Sequence, residues 1–389
     1  MSDISRVTAE TPEEAERHAT NLELFLDLVF VFAITQIASL ISHYPAGTGT
    51  AKGLLVALLV WWQWSQFTWA GSAIDLQQRG RTRVLVLACI PVTLVMTISI
   101  PEALHSTGIW FGAAYLGVQL MVLGMQGAVA LADPVTRSAF IRYASVAAVA
   151  PIAVMIGGFT HGNVRVIIWM CAGAFFIVGG LRGARGEWNI NPVHFAERHS
   201  LFMIISLGEV LIAAGASATD VGLDRVTAVA IVVAGGVACM FWWTYFAFIP
   251  AVAEHTLRQA HGPQRGVLAR DLFTFIHFVM VFGLVLFAVV VKHLIPHPEG
   301  QLTVDDRWLL ALSVLFFVGG LLAFQYRVMK RLAPERVLCI VAVAALAAAG
   351  AWLPGLVVVA GVAVLLGVMQ AITWRRFQRG ALAHVVAGH

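Results

Sequence analysis

Apolar runs of about 20 residues recur from one end of this chain of 389 residues to the other. Hydrocarbon offers no partner to a backbone N–H or C=O. A segment that crosses it must satisfy its own hydrogen bonds, which helices and closed barrels alone achieve. A run of about 20 apolar residues is the length of one crossing helix. Composition agrees: 59% of residues are hydrophobic and 12% are charged, against roughly a quarter charged in soluble domains. The fold class expected is therefore all-α, a polytopic integral membrane protein of about twelve transmembrane helices.

The expected spans are 22–43, 52–73, 84–104, 108–131, 139–158, 164–181, 199–217, 226–250, 271–294, 308–328, 336–351 and 355–374. The last two are one apolar stretch broken at Trp352-Leu353-Pro354-Gly355, read as a hairpin turn. Lys and Arg mark the cytoplasmic loops of membrane proteins. With twelve spans, 20 of the 25 Lys and Arg fall on the side of the N-terminus. The remaining five are Lys52, Arg165, Arg225, Lys292 and Arg307. Both termini are thus expected in the cytoplasm. The pI of 9.1 reflects this topology and not nucleic-acid binding. Residues 1–20 are polar and acidic, unlike a signal peptide. The four cysteines lie in apolar runs and read as packing residues.

The chain also echoes itself. "ERH" stands at 16–18 and again at 197–199, and "WW" at 61–62 and again at 242–243. Both pairs are offset by the same interval. The expectation is two six-helix repeats in parallel orientation, related by an axis along the membrane normal. The divisions are a cytoplasmic segment 1–20, a first repeat 21–182, a linker 183–198, a second repeat 199–375 and a tail 376–389.

Within these runs, ionisable residues stand out. A charge at the bilayer centre costs about 3 kcal/mol on insertion scales. Glu23 and Asp27 are at i and i+4 on one face of span 1, Asp27 roughly 6 Å deeper. Arg17 and His18 precede them. Span 7 repeats the scheme, with Arg198 and His199 at its mouth and Glu209 about 15 Å further along, near the midplane. His277 in span 9 and the Arg198–His199 pair are the expected partners of Glu209. Asp27, Glu209, Glu23 and His277 are the candidate ion or substrate pathway. Arg17, His18, His194, Glu197, Arg198 and His199 are its candidate mouth. Asp75 reads as an interface residue near Arg79. A second set is aromatic: Trp61, Trp62, Trp64, Trp242, Trp243 and Tyr245 are expected to wall a pocket with polar tips.

The segments "RHATNLELFLDLVFVFAITQ" (17–36) and "HFAERHSLFMIISLGEVLIA" (194–213) resemble the two signatures of the bacterial low-temperature-requirement A (LtrA) family. Asp27, His194, Glu197, Arg198, His199, Gly208 and Glu209 match those signatures. The resemblance implies a polytopic protein of a bacterial inner membrane, linked by name to growth in the cold. It implies no settled biochemical activity. Arg17, Phe25 and Asp27 also resemble a first-helix pattern of two-repeat endolysosomal cation channels, with Leu26 in place of a Ser.

Motifs of soluble catalysis are absent: no Walker motif, HExxH or CxxC occurs. His194 and His199 are five apart, whereas two helical metal ligands prefer four. No catalytic residue, metal site or cofactor is expected. The expected partners are membrane lipids and a small solute or a proton, with homo-oligomer formation left open and no nucleic acid. Three functions compete: a proton-linked secondary transporter, a cation or proton channel, and a membrane enzyme acting on lipids or isoprenoids.

Overall fold

A computed structural model describes residues 17–73, 76, 80–376 and 378. Asp75 and Arg79 lie outside the described residues, as do residues 1–16 and most of the tail. The described chain is a bundle of twelve helices. They are α1 (Asn21–Ser42), α2 (Ala46–Ala73), α3 (Gly80–Ile98), α4 (Gly108–Ala130), α5 (Pro134–Gly158) and α6 (Gly162–Gly183). The second half holds α7 (Pro192–Val221), α8 (Arg225–Gln259), α9 (Pro263–Leu294), α10 (Val304–Met329), α11 (Pro334–Ala349) and α12 (Gly355–Arg376).

Ten of these are long and apolar enough to cross a membrane. The other two are α2, whose sequence mixes Trp with Gln, Gly and Thr, and α11, whose 16 residues span about 24 Å. The hairpin expected at 352–355 separates α11 from α12, and Gly355 N donates to Gly300 O at 2.7 Å. All-α polytopic architecture follows directly.

Helix starts are written in the sequence. Thr20 caps α1 in a capping box with Glu23. Asp133, Asn191, Asp224 and Thr303 each accept from the first turn of the helix they precede. Asn191 and Pro192 start α7 seven residues earlier than expected, so part of the linker expected at 183–198 is helix. Three helices deviate internally. α5 is interrupted at 148. α8 is interrupted at 247–248, and α9 carries a π-helical stretch, Ala269–Ile276.

Neighbour relations recur between the halves. In the first, α1 packs on α2 and α3, α3 on α4, α4 on α5, α5 on α6, and α2 on α6. In the second, α7 packs on α8 and α9, α9 on α10, α10 on α11, α11 on α12, and α8 on α12. The seam between the halves is formed by α1 and α2 against α7, α9 and α10.

Candidate functional site: the seam between the halves

The seam is polar along one line. Arg198 on α7 donates through both terminal nitrogens to the Asp27 carboxylate on α1, Nη2 reaching Oδ1 at 2.8 Å. Trp64 on α2 donates its indole N–H to the same Oδ1 at 2.9 Å. One turn away, His194 Nε2 donates to Glu23 Oε1 at 2.9 Å, and the other Glu23 oxygen takes the capping bonds from Thr20. Arg198 Nε lies 3.9 Å from Glu23. All four ionisable side chains are buried. Both rungs join residues exactly 171 apart, so α1 and α7 run side by side in the same direction.

At the end of this ladder Glu197 accepts from His18 Nδ1 at 3.2 Å and from Ala19 N at 2.8 Å. Arg17 donates to the last carbonyls of α2, at Gly71 and Ser72. Of the expected mouth residues, His18, His194, Glu197 and Arg198 make closed contacts between the halves, Arg17 binds within the first half, and His199 sits apart among aromatic rings. Arg198 and His199 sit about two turns inside α7 and not at its entrance, because the helix starts at Pro192.

Glu209 is further along the seam. It is buried, and Thr35 on α1 donates its hydroxyl to Oε2. Lys292 on α9 is close enough to act on it electrostatically. Lys292 Nζ also donates to Ser39 at 3.1 Å. Thus neither His277 nor the Arg198–His199 pair is its partner, contrary to expectation. His277 is taken up elsewhere, between Tyr245 Oη at 2.8 Å and the Leu272 carbonyl at 2.7 Å. Thr35 lies roughly two thirds along α1 from the end at Asn21, which puts Glu209 beyond the centre of that helix.

Lys292 lines a basin of about 600 Å³ at this far end, together with Tyr44, His293, His297, Asp305 and Asp306. His293 donates to Asp306 at 2.5 Å, and Asp305 accepts from Ala46 N at 2.8 Å. The basin belongs to both halves.

The six expected pocket aromatics separate. Trp61, Trp64 and Tyr245 gather with Phe273 around His199 and His277. His199 Nδ1 donates to the Phe195 carbonyl at 2.8 Å, while its Nε2 has no hydrogen-bond partner. Trp62 turns the other way, toward Tyr143 in the first half. Trp242 and Trp243 are 51% and 49% exposed on the outside of α8 and join no pocket with the rest.

Sequence reasoning missed Thr35, Ser39 and Lys292. Lys292 was legible: "VVVKHL" places a lysine inside the apolar run of α9. Thr35 and Ser39 carried no signal, since hydroxyls are common in membrane helices.

A buried acid pair on α1, met by His and Arg on α7, falls within the two segments singled out from sequence. The bacterial low temperature requirement A protein (LtrA) family matches residues 18–371. The chain belongs to the LtrA family. A relative in Rhizobium meliloti (strain 1021), described as an uncharacterized protein, is 29% identical over 325 residues, covering 80% of this chain and 78% of its own length. No solved structure matches. The LtrA signatures thus coincide with the helices that meet at the seam.

Proposed function

We propose that this LtrA-family protein is a proton-linked secondary transporter, moving a small solute between its two halves. The observation that carries the reading is Glu209. It is a buried carboxylate with one hydroxyl donor, within electrostatic reach of a lysine that also lines an open basin. An acid deep in a membrane protein is costly and marks an ion or proton path.

The two ends of the seam support alternating access. The basin reaches Lys292 from one side. The Glu23–His194 and Asp27–Arg198 rungs close the other. The closed side is the basic one, hence cytoplasmic under the positive-inside rule, with both termini there and the protein in the inner membrane. The recurring neighbour relations favour a duplicated six-helix unit, and repeats of this kind place substrate sites between them. Asp27 acts in this reading as part of the cytoplasmic closure. The packing of Trp61 and Trp64 on Phe202 across the seam favours a transporter over an open channel.

The test uses purified protein in proteoliposomes under an imposed K⁺ diffusion potential, with internal pH as readout. A filtered small-molecule cell extract is added outside. Proton flux that needs the extract and is lost in Glu209→Gln is the expected result. Equal flux with and without extract indicates a channel, and flux in neither condition removes the transport reading.

A further inference from the structure

The basin at the open end of the seam holds about 600 Å³, within the roughly 300–1,000 Å³ of small-molecule sites. Tyr44, Lys292, His293, His297, Asp305 and Asp306 are its ionisable lining. Its acids are engaged locally. His293 and Thr303 donate to the two oxygens of Asp306, and Ala46 N donates to Asp305. Lys292 differs. Its ammonium has three N–H donors, and one reaches Ser39 Oγ at 3.1 Å. Ser39 is about one turn deeper on α1 than Ser42, which lines the basin, so the ammonium stands at the basin floor. Among the described residues no carboxylate forms a direct ion pair with it.

Glu209 stands behind this lysine. Thr35 donates to Glu209, and Ser39 accepts from Lys292. Thr35 and Ser39 are at i and i+4 on α1, on one face and about 6 Å apart along the axis. Acid and lysine are therefore neighbours, the acid buried and the lysine partly buried at the basin. Together they carry no net charge. An anion that enters the basin and binds Lys292 leaves Glu209 without its counter-charge. An uncompensated carboxylate is costly inside a membrane, unless it takes up a proton. With one anion and one proton aboard, the site is neutral again. With either alone it carries one uncompensated charge, and closing the halves over that charge is costly.

We infer that the transported solute is a small carboxylate anion, bound by Lys292 at the basin floor and accompanied by one proton on Glu209. The inference rests on the transport reading and adds the solute class and the coupling. The proton passes from water in the basin to the Glu209 carboxylate. The solute carboxylate then takes the place of Glu209 as the counter-ion of Lys292. No covalent bond other than that O–H forms. A cationic solute would meet Lys292 as a like charge.

The experiment measures binding of labelled acetate to the full chain in nanodiscs, by saturation-transfer NMR between about pH 6 and 8, where a carboxylate stays ionised. A pH-indicating dye reads proton uptake. Saturable binding is expected, with affinity rising about tenfold for each unit that pH falls and about one proton taken up per acetate. Lys292→Gln should abolish binding. Glu209→Gln, which stands for the protonated acid, should bind acetate with an affinity independent of pH. Trp242→Ala, on the outer face of α8, should behave as the wild type. If Lys292→Gln does not fold, the wild-type pH dependence and competition with chloride still decide. Absence of saturable binding, displacement of acetate by an equal concentration of chloride, or a wild-type affinity independent of pH overturns the proposal. Binding is read without flux, so the two readings fail separately. Extract-driven proton flux without acetate binding removes the carboxylate and leaves transport standing. Acetate binding linked to pH without flux keeps the carboxylate site and removes transport alone.

Discussion

Two acidic positions share the seam of this molecule and differ in how they are held. Asp27 takes a two-pronged arginine and an indole N–H, and Glu23 beside it takes a histidine and a capping box. Glu209 takes one hydroxyl, with Lys292 nearby. Each of these acids is buried. The saturated cluster behaves as a clamp between α1 and α7, because breaking a buried ion pair strands a charge. In the proposed reading the sparsely held acid is the one that exchanges its proton. Burial does not distinguish these acids; the number and kind of their donors do.

The largest effect should come from breaking the clamp. Asp27→Asn strands Arg198, and thermal melting in nanodiscs should show a loss of about 3–5 kcal/mol. Adding Arg198→Gln should recover part of it. Purely additive losses would mean the pair is not coupled. Next is Glu209→Gln, which keeps an acceptor for Thr35. It should change stability by less than about 1 kcal/mol while abolishing extract-dependent proton flux. Equal destabilisation by Glu209→Gln and Asp27→Asn would erase the contrast. Thr35→Val removes the hydroxyl donated to Glu209 and should cost about 1 kcal/mol in the same melts. The smallest effect belongs to Trp242→Ala, on the outer face of α8, which should stay within about 0.5 kcal/mol and leave flux intact.

Much of this architecture was legible in advance. Lipid forces apolar length, so each of the twelve expected spans corresponds to one helix, and caps such as Asn191-Pro192 marked a start that hydropathy alone placed too late. The signature segments held Glu23, Asp27, His194 and Arg198, which do assemble. Pairing was not legible. Glu209 meets Thr35 at a separation of 174, close to the 171 of the two rungs, because α1 and α7 dock side by side in parallel. Contact register comes from how helices dock, and no motif records it. The aromatics failed for a related reason. A doublet such as Trp242-Trp243 says nothing about which face of α8 meets the bundle, and that face turned outward.

The contrast between the two acids is best tested by infrared difference spectroscopy of the protein in membranes after a pH step, reading the protonated-carboxyl band. The account predicts a band that disappears in Glu209→Gln and persists in Asp27→Asn/Arg198→Gln. A band that survives in Glu209→Gln and is lost with Asp27 would contradict it.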